Sequence, residues 1–199
     1  FDQIIDAQII AFPGAQGWAA STEGGREGQI IKVTNLNASG TGSFAAAISA
    51  SEPRIVVFEV GGIIDLNGSN LYLDNPYITI AGQTAPFPGI TLIDGAFYIR
   101  THDVILQHIK VRPGASRHVD GWEPDGISTT SAYNVIIDHC SITWAVDENC
   151  SASGPRFEGE TPDNWRENTS HTITMSNNII AEGLSNATHP KGEHSKGSL

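Results

Sequence analysis

A chain of 199 residues fits a single domain, and 21 glycines among many Asn, Ser, Thr, Ile and Val suit short strands joined by turns. A net charge of −11, with only 17% charged residues, excludes the clustered Lys and Arg that a nucleic-acid binder needs. No apolar run approaches the roughly 20 residues of a membrane span, so no membrane partner is expected.

Residues 4–12 form a short apolar lead. Residues 13–28 (PGAQGWAASTEGGREG) are too rich in glycine for a regular element and read as an ordered loop or cap. Gly24-Gly25 is not followed by Gly-Lys-Ser/Thr, so this is no phosphate loop. Residues 30–36 (IIKVTNL) predict the first strand, and Ser43 is placed to N-cap a short helix over residues 44–50. Such a helix would cover the open end of a stacked fold.

From Arg54 on, strands are predicted at 54–60, 63–66, 77–82, 90–93, 97–100, 103–111, 134–142 and 171–180, with no room for helices between them. Asp103, Asn134 and His171 each lead a copy of one pattern, a polar residue followed by Val/Thr-Ile, and Tyr77 leads a looser fourth copy. One β pattern per 20–50 residues predicts stacked coils, an all-β solenoid. The surplus residues become surface loops, the largest being 151–170. A β-sandwich would show cleaner in/out alternation and tight hairpin turns, and neither is evident.

The stretch 125–148 (DGISTTSAYNVIIDHCSITWAVDE) holds four acids, Asp125, Asp138, Asp147 and Glu148. Asp125 and Asp147, 22 residues apart, are spaced for one coil, which predicts neighbouring rungs about 4.8 Å apart. Two carboxylates that close repel, and one protonates unless a cation sits between them. Oxygen ligands without His or thiolate favour a hard ion such as calcium. The competing reading makes both aspartates solvated turn residues. Cys140 and Cys150 allow one short-loop disulfide or two buried thiols. Five glycosylation sequons, at Asn37, Asn67, Asn149, Asn168 and Asn186, point to a secreted glycoprotein.

FPGAQGW, TNLNASGTGSFAAAI, IAGQTAP, VRPG, DGIS, NVIIDHCSITWAVDE and NIIAEGL…HSKGSL together resemble the pectate lyases of polysaccharide lyase family 1. The resemblance implies a right-handed parallel β-helix, here a single domain over 1–199, that cleaves polygalacturonate (pectate) by calcium-assisted β-elimination. It makes Asp125 and Asp147 calcium ligands. The third ligand position falls on Ser151, so Glu148 is offered in its place. Lys196 of the HSKGSL element matches a substrate-contacting, catalytic lysine, with Lys191 the second candidate and His194 beside it on the substrate. Asp138 and His139 match a structural hydrogen-bonding signature. The family's proton-abstracting arginine lies about one coil beyond the lysine, past Leu199, so the chain is expected to lack its C-terminal coils. A secreted monomer is expected. The rivals are an inverting hydrolase of acidic polysaccharide on the same fold and a non-catalytic glycan-binding, allergen-like β-helix.

Overall fold

Every strand pairing in the computed structural model, which describes residues 9–115, 117 and 121–198, is parallel. Three sheets result. The first holds β1 (Gln29–Val33), β2 (Arg54–Phe58), β5 (Ile78–Ala81), β8 (His102–Gln107), β11 (Tyr133–Asp138) and β14 (His171–Ser176), in that order. The second runs β3 (Gly62–Asp65), β6 (Ile90–Ile93), β9 (Ile109–Arg112), β12 (Ser141–Thr143) and β15 (Ile179–Ala181). The third runs β4 (Leu71–Leu73), β7 (Phe97–Ile99), β10 (Ile127–Thr130), β13 (Glu148–Ser153) and β16 (Lys196–Ser198). Chain order visits the sheets in rotation, which is a parallel β-helix. Each coil cannot bury its apolar face alone and does so against the next.

The corners explain where strands stop. Ile78, Val104, Val135 and Ile173 stand in register on the first sheet. The residue before each, Tyr77, Asp103, Asn134 or Thr172, has φ between 51° and 57°. This left-handed geometry turns the chain sharply and costs an ordinary residue energy. The third copy of the repeat is thus led by Thr172 and not by His171, which pairs with Tyr133. The same device at His108, His139 and Asn177, with φ of 55°, 53° and 53°, splits each long predicted strand into two. Residues 103–111, 134–142 and 171–180 each cross from the first sheet to the second.

Isoleucine, valine, leucine and phenylalanine from all three sheets fill the interior as one cluster. Helix α1 (Phe44–Ser49) closes its N-terminal end, with Ser43 Oγ accepting the Ala46 amide at 3.1 Å. Phe44 packs its ring against Phe58 and Phe97. Arg54, fully buried, donates to the carbonyls of Ala47 and Ile48, which the helix end leaves without partners.

Three expectations change. Residues 151–170 are not all loop: β13 runs to Ser153, and a second helix, α2 (Pro162–Asn168), carries a capping box between Thr161 and Asn164. Cys140 and Cys150 are free, buried thiols, so no disulfide joins them. Burial pushes both thiols up to about 12, and Cys150 Sγ packs 3.4 Å from Met175 Sδ. Asn149 is fully buried and carries no room for a glycan: its Oδ1 accepts the Ala145 amide and its Nδ2 donates to Ala181 O. Asn37, Asn67 and Asn186 are exposed, and Asn168 is half-buried. Residues 4–8 of the apolar lead and Leu199 of the HSKGSL element lie outside the described residues.

Candidate metal centre

The third sheet gathers the candidate residues at the beginnings of its strands. Ile127 pairs with Cys150 and Ser128 with Ser151, so Asp125 stands opposite Glu148, and the Gly126 amide bonds Glu148 O. A full coil here is therefore one residue longer than the Asp125–Asp147 spacing. Asp147 sits one position before the strand, where it and Val146 direct their amides at Pro124 O. On the next rung, Lys196 pairs with Glu148. Sequence spacing thus brings together Asp125, Asp147, Glu148 and Lys196 on three successive rungs.

Asp125, Asp147 and Glu148 each place a carboxylate oxygen within 4.8 Å of the other two. Asp125 is anchored: Oδ1 accepts the Glu148 amide at 3.3 Å and Oδ2 the Ser151 hydroxyl at 2.9 Å. Burial raises its pKa. Glu148 is buried, and its pKa rises to about 7, first through desolvation and then through the charges of Asp147 and Asp125. Among the described residues, Asp147 Oδ1 is buried and accepts no hydrogen bond. His194 Nε2 lies 3.3 Å from it, but that nitrogen also meets the Lys196 ammonium at 3.4 Å, to which it can only be an acceptor. An oxygen without donors, facing two further carboxylates, matches what a hard divalent cation requires. Ligand oxygens each 2.3–2.6 Å from calcium lie up to about 5 Å from one another, so the residues present fit that ion.

A second group, Asp147, His189 and His194, meets the same 4.8 Å limit. His189 is a residue that sequence reasoning passed over, and nothing in THPKGEH marks it beyond two histidines five apart. Its side chain is almost fully buried, with Nε2 3.2 Å from Glu123 Oε2 and 3.6 Å from Asp147 Oδ2. Its Nδ1 accepts the Lys191 amide at 3.0 Å, so the ring proton sits on Nε2, which then offers no lone pair to a metal. His189 borders the carboxylates as a donor and is a poor ligand. Desolvation first, then the Lys196 charge, holds His194 below the usual histidine range. Lys191 is exposed on the turn between the two histidines.

Asp138 and His139 lie elsewhere, where the first sheet ends. Asp138 is desolvated, yet bonds from His139, Asn177, Ser176 and Gln107 hold it at about 2. Arg112, on the second sheet, spends its guanidinium on Ser141 O, Ser141 Oγ and Val111 O.

No family model matches the chain. Among curated proteins, it is 41% identical to the probable pectate lyase C of Aspergillus terreus over 185 residues, 92% of this chain and 39% of that one. The probable pectate lyase C of Aspergillus fumigatus is 39% identical over 193 residues, 96% of this chain and 40% of the relative. Pectate lyase 5 of Ambrosia artemisiifolia is 30% identical over 67% of this chain and 37% of its own length. The crystal structure of jun a 1, the major allergen from cedar pollen, aligns with a TM-score of 0.60 at 21% identity, over 80% of this chain and 46% of that one. The chain spans about two fifths of the length of the curated relatives it matches. Over the part that it covers, the chain is similar to the probable pectate lyases C of these two fungi.

Proposed function

We propose that the protein is an extracellular pectate lyase that cleaves polygalacturonate by calcium-assisted β-elimination, with Asp125, Asp147 and Glu148 holding the cation. The observation that carries this reading is the buried, bondless Asp147 Oδ1 among three carboxylates on adjoining rungs. When bound, calcium supplies a Lewis acid for the C6 carboxylate of a galacturonate, which makes the C5 proton easier to remove. A chain of charge −11 that acts on a polyanion needs such a cation at its centre.

The protein's own groups have separable tasks. Asp125, fixed by Ser151 and the Glu148 amide, and Asp147, backed by His189, set the cation position. Lys196, opposite Glu148, brings an ammonium to where negative charge develops on the substrate, and His194 accepts one of its protons and so orients it. Lys191, on the neighbouring turn, is the second candidate for that role. Arg112 is set aside as the proton-taking group, because its donors are committed to Ser141. An inverting hydrolase would hold its two carboxyl groups about 6.5–9.5 Å apart to admit a water, wider than the cluster here.

The test pairs binding with turnover. Calorimetric titration should show calcium binding that Asp147→Asn weakens at least about tenfold, since changes one step removed from a metal already cost that much. Lys196→Ala should leave calcium affinity nearly intact and lower turnover. Incubation with polygalacturonate should raise the ultraviolet absorbance of unsaturated uronides only while calcium is present. Unsaturated product formed in excess chelator would refute the metal role.

A further inference from the structure

The row that carries the carboxylates continues towards the N-terminal coils. Register places Tyr72, Tyr98, Ser128 and Ser151 side by side on β4, β7, β10 and β13. Ser128 and Ser151 bond each other at 2.8 Å, and Ser151 bonds Asp125, so the row shares one outer face with the cluster. Tyr72 and Tyr98 stack at 5.4 Å with their planes 15° apart. The Tyr98 phenol oxygen accepts the backbone amide of Asp125. A tyrosine phenol carries one proton to give, and this one stands in the row beside the cluster.

Arg100, two positions along on the same face, lies 4.2 Å over the Tyr72 ring. Its Nε and Nη2 grip Asp74 at 2.8 and 3.0 Å. A guanidinium carries five N–H donors, and among the described residues this grip leaves Nη1 uncommitted in a fixed plane. The Asp74 pair is about half exposed, the kind of ion pair that contributes little by itself. Packing accounts for the stacked rings; it does not require a cation held open beside them.

We infer that Tyr98 and Arg100 form a further subsite for a uronate unit, one rung to the N-terminal side of the carboxylate cluster. The inference rests on the polyuronate reading above and extends it. Lys196 on β16 and Arg100 after β7 are three rungs apart, about 14 Å, with the carboxylates between them. A polyanion laid along the sheet would meet a positive charge, the cation centre, and a second positive charge. A neutral polysaccharide would gain nothing from Arg100. Tyr98 donates its proton to a sugar oxygen there, and Arg100 faces the unit's carboxylate.

Oligogalacturonates of increasing length, titrated into the chain with calcium present, test this. Arg100→Gln should weaken binding of the longer oligomers about tenfold, the loss typical of a hydrogen bond to a charged group, and Tyr98→Phe several-fold. Binding of a methyl-esterified oligomer should not change with Arg100→Gln. Calcium affinity and the thermal midpoint should match the parent chain in Arg100→Gln, and Tyr98→Phe should keep a single cooperative unfolding transition because the ring stack remains. Wild-type affinity at every length in both variants overturns the subsite and leaves the lyase reading standing. An equal loss for charged and esterified oligomers overturns the role given to Arg100. If the parent chain binds neither calcium nor oligogalacturonate, the underlying reading falls and the subsite with it.

Discussion

The first and third sheets stack the same coils at the same spacing, yet they treat buried polar groups in opposite ways. On the first sheet, β11 ends in Asp138, whose carboxylate collects four side-chain donors and is held at about 2. Its inward residues are Val135 and Ile137, fully buried. On the third sheet, the inward and flanking positions of β10 and β13 include Thr129, Asn149 and Cys150, and the carboxylates face one another. Among the described residues Asp147 Oδ1 has no donor, and burial raises Glu148 to about 7. One sheet is built to be satisfied within the chain. The other is left short of positive charge, as the proposed cation site requires.

Removing apolar volume from the first sheet should therefore have the largest effect on stability. Ile137→Ala deletes a fully buried side chain in register with Leu106 and Met175. A loss of about 2–5 kcal/mol is expected in urea unfolding, as for other buried Ile or Leu truncations. A loss under about 1 kcal/mol would mean the first sheet is no better packed than the third, and the comparison would collapse.

Acidity should sharpen the contrast. Glu148 has its folded pKa raised from 4.5 to about 7, by burial and then by Asp147 and Asp125. Its contribution to stability is thus complete below pH 4.5 and is lost as pH rises through about 7. Asp125, also raised, acts in the same sense. Asp138 is depressed, so its contribution is complete above 3.8 and fades only as pH falls through about 2. In chelator, the thermal midpoint should be higher at pH 5 than at pH 8, and Glu148→Gln should flatten that slope. Calcium, which prefers the ionised carboxylates, should reverse it. A midpoint that rises from pH 5 to pH 8 in chelator would show that the third-sheet acids do not oppose one another.

The same difference decides how much was legible in the sequence. First- and second-sheet strands announced themselves, because Val, Ile and Leu occupy their inward positions: RIVVF and ITLI stand where they were expected. The repeat leaders Tyr77, Asp103 and Asn134 mark corners because each adopts a left-handed conformation at the turn into its strand. On the third sheet only β7 was readable. ISTT and ENCSAS spend strand positions on hydroxyls, an amide and a thiol, and LYL is too short to show a period. The site could be approached from Asp125, Asp147 and the HSKGSL element, but the register that sets Asp125 against Glu148 depends on corner geometry. His189 and Tyr98 reach the site across rungs, and local sequence carries no trace of that. Helix α2 was readable in principle, since Thr161, Pro162 and Asn164 spell its cap, but the polar stretch around it hid the signal.

The smallest effect is the most pointed. Thr129 lies fully buried on β10, level with Ile99 on one side and Ala152 on the other, and its hydroxyl has no partner among the described residues. A buried hydroxyl without a partner pays desolvation with nothing in return, whereas a valine of nearly the same shape would not. Thr129→Val should therefore stabilise the protein by about 1 kcal/mol. The thermal midpoint should rise by about 2–4 °C for a chain of this size. The direction matters more than the amount, because point substitutions in a well-satisfied core usually destabilise. A gain on the third sheet, beside a large loss from Ile137→Ala on the first, would show that the sheet carrying the carboxylate cluster holds buried polarity its fold does not need. A loss from Thr129→Val would mean that this hydroxyl has a partner, and that polarity on the third sheet is structural there as well.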